Sequence, residues 1–247
     1  MHKKILAIVL ISSLLTNCAS KTEAPKPEVS AEQLFKEANA FMESKQYKKA
    51  IANYSKISTE HPYSKLSPDA ELLEAESYYL SHDYDMAIPI FENFIKLHPA
   101  HPDAPQAYYL RAMCYYEQIS DVKHDQEMTE KAAEYLHELI IRFKDSSYAK
   151  DAKFKLELAN DHLAAHEMTV GRFYLKQKEL ISAINRFKRV VENYQTTSHI
   201  EEALYRLVES YLALGIKEEA TKYGAVLGFN YPKSKWYEYS YHLLNKK

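Results

Sequence analysis

Glycine is nearly missing from this chain, with four residues in 247, all after position 170. They build no phosphate-cradling loop, no nucleophile elbow and no Asn-Gly hairpin, so the tight turns fall to Pro, Asp, Ser and His. Cysteine is as scarce: Cys18 and Cys114 are the only two, too few for a disulfide framework. A basic excess is missing as well. Lys and Arg total 32 against 34 Asp and Glu, a formal charge of −2, and nothing in that balance favours nucleic acid. Nor does the N-terminal apolar stretch qualify as a membrane span. Ile5–Leu15 is 11 residues, broken by Ser12 and Ser13, where a transmembrane helix needs about 20.

What that stretch does fit is a secretory signal: Lys3 and Lys4 precede a short apolar run. The run ends in Leu15-Thr16-Asn17-Cys18, which resembles a bacterial lipobox, where leucine sits three places before a cysteine that is acylated and becomes the new N-terminus. Asn17 departs from the Gly, Ala or Ser usual before that cysteine, and an ordinary signal peptide with an incidental cysteine is the alternative. Ala19 stands where aspartate would mark inner-membrane retention, which points to the outer membrane. Residues 1–17 are read as a lipoprotein signal peptide, and 18–30, with Pro25 and Pro27, as a lipidated extended tether. Processing would leave 230 residues with a charge of −4, since Lys3 and Lys4 are lost. Cys114 would then have no intrachain partner, and its setting in "YYLRAMCYY" predicts a buried position.

From Ala31 onward the chain repeats. "YKKAIANYSKISTEHP" (47–62) and "YDMAIPIFENFIKLHP" (84–99) align with Ala50 and Ala87 37 residues apart, and Ala132, Ala183 and Ala220 continue the series. Apolar residues about four and seven places after each anchor give a helical period. Twelve residues before most anchors lies another small residue in an amphipathic stretch: Ala38, Ala75, Gly171 and Val208. Helix–turn–helix repeats near 34 residues are of the tetratricopeptide (TPR) class, in which short side chains let paired helices approach. Tyr54, Phe91 and Phe187 fall at the TPR aromatic position, and Pro62, Pro99 and Pro232 at the helix-ending proline. The expected fold is an all-α TPR-type solenoid of about five units with one long central helix. Pro89 falls inside a predicted helix and should weaken its first turns.

Two spacings break the period. Ala112 to Ala132 is 20 residues, so an extra eight form a long loop in "EQISDVKHDQEM" (117–128). Phe143 to Gly171 is 28 residues against 14 for His98 to Ala112, and the extra 14 are close to four helical turns. The stretch after Asp145 therefore reads as one helix of about 30 residues, about 45 Å long, capped by Asp145 or Ser146. It joins units one to three (31–144) to units four and five with a C-terminal helix (145–247).

Candidates for chemistry are weak. His166-Glu167 opens a zinc-protease motif, but Val170 stands where a histidine is required. His162 and His166 share a helix face without a third ligand, and "HPAHPD" (98–103) reads as an inter-repeat turn. No enzyme activity, metal or cofactor is expected, and an enzyme is the rival from another class. A surface remains. The first helices of TPR units line the concave face, and register transfer places Phe35, Asn39 and Met42, then Leu72, Glu76 and Tyr79, then Tyr109, Met113 and Tyr116 in that groove. Tyrosine gives flat apolar area with a polar tip and methionine adapts to its partner, so the groove suits an extended peptide with aromatic side chains. Roughly half of this set is expected to pack between units instead.

Taken together, the lipobox, the TPR units, "HPAHPDA", "DQEM", "LAAHEMTVGRFY" and the terminal "NYPKSKWY" resemble the BamD family, lipoproteins of the outer-membrane β-barrel assembly (BAM) machinery. The resemblance implies a non-catalytic scaffold, lipid-anchored at the periplasmic face of the outer membrane. It would bind the periplasmic POTRA domains of the barrel subunit BamA, associate with other BAM lipoproteins and help receive and insert unfolded outer-membrane proteins, with their aromatic C-terminus as a candidate signal. The family's Asn-Arg pair for the last POTRA domain corresponds to Asn185-Arg186, with Arg172, Lys176 and Arg189 extending a basic patch. A solvated helix charge is the plain alternative for Arg186. At the level of the whole protein, the alternative is another periplasmic TPR lipoprotein coordinating cell-wall synthesis or secretion.

Overall fold

The computed structural model describes residues 29–246. The segment read as a signal peptide, Cys18 and the expected tether up to residue 28 lie outside the described residues. Eleven helices follow in the described part, and five antiparallel pairs account for ten of them. Unit one is α1 (Ala31–Glu43) and α2 (Tyr47–Glu60); unit two is α3 (Ser67–Leu80) and α4 (Tyr84–Leu97). Unit three is α5 (Ala104–Tyr116) and α6 (Glu127–Arg142); unit four is α7 (Ser147–Lys176) and α8 (Leu180–Asn193). Unit five is α9 (Ile200–Ala213) and α10 (Lys217–Asn230), and α11 (Lys235–Leu244) closes the array.

The small anchors do what their size allows. Ala38, Ala50, Ala75, Ala87, Ala112, Ala132, Ala183, Val208 and Ala220 are fully buried where paired helices cross. At Gly171 the approach is tight: an added Cβ would lie 2.5 Å from Cε1 of Phe187, a ring with no solvent exposure. Tyr54 and Phe91 are equally enclosed, each worth about 2–3 kcal/mol relative to an exposed position. The core is accordingly a row of local clusters, as expected when each repeat touches mainly its neighbours.

The turns explain how so little glycine suffices. In units one, two, four and five the first helix ends in the same motif, with the left-handed position filled by Lys45, His82, Lys178 and Gly215 (φ +58° to +78°). The following N–H bonds back five residues each time: Gln46 to Phe41, Asp83 to Tyr78, Glu179 to Tyr174 and Ile216 to Tyr211, at 2.8–3.0 Å. This is the Schellman arrangement, which usually takes glycine; here three of the four described left-handed sites carry a side chain. Unit three replaces the motif with the predicted insertion, residues 117–126.

Ser146 caps α7, its hydroxyl accepting from Ala149 N–H at 3.2 Å. The 30-residue helix serves two cores. Tyr148, Ala152 and Leu156 pack with α5 and α6, while Ala164 and Met168 pack with α8. Pro89 is accommodated: α4 continues through it, and the residue is exposed on the outer side. Cys114 is buried, and burial pushes its thiol up to about 12.

Candidate functional site

Side chains of α1, α3 and α5 form one connected stripe. Asn39 Oδ1 accepts from the hydroxyl of Tyr54 at 2.6 Å, and Phe35 meets the edge of the same ring with centroids 5.9 Å apart. Met42 Sδ on α1 lies 2.8 Å from Ser77 Oγ on α3, a hydroxyl that bonds the Leu73 carbonyl at 2.6 Å. Gln106 on α5 donates to the Glu76 carboxylate on α3 at 3.1 Å; burial raises the Glu76 pKa against the effect of that bond. Tyr79 packs on Tyr84, with centroids 5.8 Å apart, and burial pushes its phenol up to about 12. Tyr109 donates to Asp151 Oδ2 on α7 at 2.6 Å and lies beside Tyr148; burial and then Asp151 raise its pKa. Tyr116 is half-buried, with the Lys155 ammonium 5.8 Å from its ring centre.

Leu72 and Met113 are corrections to the groove as read from sequence. They are 3% and 4% exposed, so they fill helix interfaces rather than offer surface. Leu72 joins the cluster around Ala75 and Phe91. Met113 belongs to α5, which contacts α3, α4, α6 and α7 and is buried almost continuously from Ala107 to Tyr115. A helix with four neighbours has little free face, whatever its register.

The second feature is on unit four. Glu167, 8% exposed, accepts from Arg186 Nη1 through both carboxylate oxygens at 3.1 and 3.2 Å, and from Arg189 Nη1 at 3.1 Å. Arg186 is half-buried and Arg189 exposed. Each guanidinium has five N–H donors and engages Glu167 through one terminal nitrogen, which leaves directed donors at the surface. The insertion loop walls the site. His166 Nδ1 lies 2.6 Å from the Val122 carbonyl, and Gln126 is buried with its amide on the carbonyls of Asp121 and His124. Together they enclose a cleft of about 230 Å³ that also receives Tyr194.

The basic patch read from Arg172 to Arg189 divides into two. Arg172 turns to α9, where it donates to Glu202 at 3.2 Å and joins a ladder with Arg206 and Glu209. Asn185 and Lys176 are exposed. Sequence reasoning missed Glu167 as the acceptor. The signal was present, since one turn back from Gly171 along α7 is Glu167 and one turn on from Ala183 along α8 brings up Arg186 and Phe187.

His162 and His166 have different settings: His166 Nδ1 is held by the Val122 carbonyl, while His162 Nε2 is buried without a hydrogen-bond partner among the described residues. Asp69, His101 and Asp103 do converge at the turn before α5. Both His101 nitrogens are committed there, Nδ1 accepting from the Asp103 N–H at 3.2 Å and Nε2 facing Asp69 Oδ1 at 3.2 Å. An imidazole that accepts at Nδ1 carries its proton at Nε2, which makes the cluster an inter-repeat pin.

The family model YfiO, described as an outer membrane lipoprotein, matches residues 27–227. The outer membrane protein assembly factor BamD of Rickettsia prowazekii (strain Madrid E) is 46% identical over 242 residues, 98% of this chain and 96% of that protein. BamD of Caulobacter vibrioides is 51% identical over 130 residues, 53% of this chain and 43% of its own. Among solved structures, a TPR protein of Thermus thermophilus aligns with 87% of this chain and 98% of its own at 16% identity and a TM-score of 0.41. By the family model and by a relative matched over nearly its whole length, the chain belongs to the BamD (YfiO) family of outer-membrane protein assembly factors.

Proposed function

We propose that the protein is a non-catalytic scaffold of outer-membrane β-barrel assembly, with its two halves doing different work. Units one to three receive unfolded outer-membrane proteins along the stripe of Phe35, Asn39, Met42, Glu76, Tyr79, Tyr109 and Tyr116. Units four and five dock the machinery, with Arg186 and Arg189 meeting an acidic group on the POTRA domains of BamA and Asn185 beside them. Arg172 and Lys176 contribute along the adjoining face. Lipid on Cys18 holds the assembly at the periplasmic face of the outer membrane, where other BAM lipoproteins join it.

The observation that carries this reading is the division of chemistry along the array. The stripe on the first three units is half-buried aromatic and amide surface. Unit four presents two guanidiniums oriented by one enclosed carboxylate. Paired, charge-assisted donors of fixed direction suit a partner carboxylate, and flat tyrosine surface suits an extended aromatic peptide.

The substrate half is tested by crosslinking to a peptide from the C-terminus of an outer-membrane β-barrel. Tyr79→Ala with Tyr116→Ala removes two of the ring faces, and stacking of this kind contributes about 0.5–1.5 kcal/mol per pair. Crosslinking is expected to fall several-fold while helical content holds; unchanged crosslinking would take the stripe out of substrate binding.

A further inference from the structure

A groove of about 580 Å³ runs over α2, α3 and α4, formed by units one and two and away from both surfaces described above. Its walls are largely apolar: Pro62, Pro89, Ile90 and Leu97 line it, and Tyr63 stands fully exposed at its rim. Its floor is acidic. Glu71 and Glu74 are both there, and among the described residues no lysine or arginine lines the groove.

The two carboxylates differ. Glu71 is occupied, accepting from Asn93 and facing His98 Nε2 at 3.6 Å. Glu74 is in no ion pair among the described residues. Burial pushes its carboxyl up to about 7, with the Ser55 hydroxyl on α2 pulling it down and Glu71 adding to the shift. The titratable neighbours are Glu71 and Tyr78 on its own helix, with His98 reaching Glu71 from the turn after α4. Beside it, Ser58 Oγ is buried and has no hydrogen-bond partner among the described residues. A half-buried carboxylate without a counter-charge and an unused buried hydroxyl are both costly. Both costs fall when a cationic donor enters.

We propose that this groove binds a lysine or arginine side chain presented by a partner polypeptide, with Glu74 as its counter-charge, Ser58 as a second acceptor and the proline and leucine walls holding the aliphatic stem. Long basic side chains bury their methylenes along apolar surface while the head group finds a charge. The groove offers that sequence of environments from rim to floor. An acidic segment is excluded by Glu71 and Glu74, and a wholly apolar one would leave Glu74 and Ser58 uncompensated.

The test is methyl NMR on the full chain, following Ile90 and Leu97, with the peptide acetyl-Leu-Pro-Lys-Pro-Leu-amide as the probe at up to millimolar concentration. The same peptide carrying Nε-acetyl-lysine is the control. Saturable shifts at both methyls are expected with the lysine peptide, and binding at least about tenfold weaker for the acetylated one, as for loss of one partner of a charge pair. Glu74→Gln should weaken the lysine peptide similarly without lowering the melting temperature, because it removes a half-buried carboxylate that has no counter-charge among the described residues. Equal binding of the two peptides would assign the groove to an apolar occupant and overturn the proposal. Undiminished binding to Glu74→Gln, or unmoved methyls with the lysine peptide, would overturn it too. None of these readouts depends on Arg186.

Discussion

Replacing Arg186 with glutamate is expected to release the protein from BamA in a pull-down while its far-ultraviolet circular dichroism stays that of the parent. Arg186 donates to Glu167 through one nitrogen, Nη1, which leaves its remaining donors unused by that carboxylate. Removing one side of a partly buried interfacial charge pair costs about 2–5 kcal/mol, much of it from stranding the other charge. That corresponds to a loss of roughly 30- to several-thousand-fold in affinity. Reversal adds a carboxylate at position 186 facing Glu167, so the variant repels where the parent attracts. The fold survives because Glu167 keeps Arg189, 3.1 Å away, and because the Arg186 side chain is 30% exposed. Retained binding of BamA by Arg186→Glu would show that the two guanidiniums serve only the packing of α7 on α8.

The second large effect lies beneath that site. Phe187 has no solvent exposure, and its ring occupies the space that a side chain at position 171 would need. Phe187→Ala should cost about 3–5 kcal/mol, a large share of the ~5–15 kcal/mol that holds a typical domain. The loss falls on unit four, where α7 leaves the first-half core and enters the second. Because repeat arrays are stabilised unit by unit, denaturation followed by circular dichroism should separate into two transitions, with units four and five melting first. The complementary change, Gly171→Ala, overpacks the same space and should cost about 1–3 kcal/mol. Adding Phe187→Leu to it should recover part of that loss, since the shorter side chain vacates the contact. A single unshifted transition in Phe187→Ala would contradict the tight pairing of these two positions.

Much of the fold was legible in the sequence because a repeat states its pattern several times. The small residues at Ala38 and Ala50, and their equivalents in later units, are buried together at helix crossings, and the extra eight residues between Ala112 and Ala132 announced the loop of unit three. Length alone identified the 30-residue helix. The surface was harder. Register along α1 and α3 placed Asn39, Met42, Glu76 and Tyr79 on one side, yet register cannot count neighbours, and α5 has four helices against it. Met113 was lost to packing for that reason, and Leu72 to the cluster around Phe91. The charged site followed a different logic. Arg172 and Arg186 look alike in a linear scan, but stacking of units four and five sends Arg172 to Glu202 while the α7–α8 hairpin sends Arg186 to Glu167. Pairing by antiparallel register from Gly171 and Ala183 would have found the second partner; the first needs the stacking of unit four on unit five. Glu74 was invisible for another reason: burial in the folded chain, not sequence context, raises its pKa.

The central claim is that this chain works as a docking scaffold in outer-membrane protein assembly. Its most direct test is affinity purification of the tagged full-length protein from solubilised membranes of its own cell, with the co-purifying proteins identified by mass spectrometry. The account predicts near-stoichiometric BamA in the parent sample and its loss with Arg186→Glu. Recovery of the protein from the membrane fraction with no BamA, or with cell-wall or secretion enzymes in its place, would contradict it.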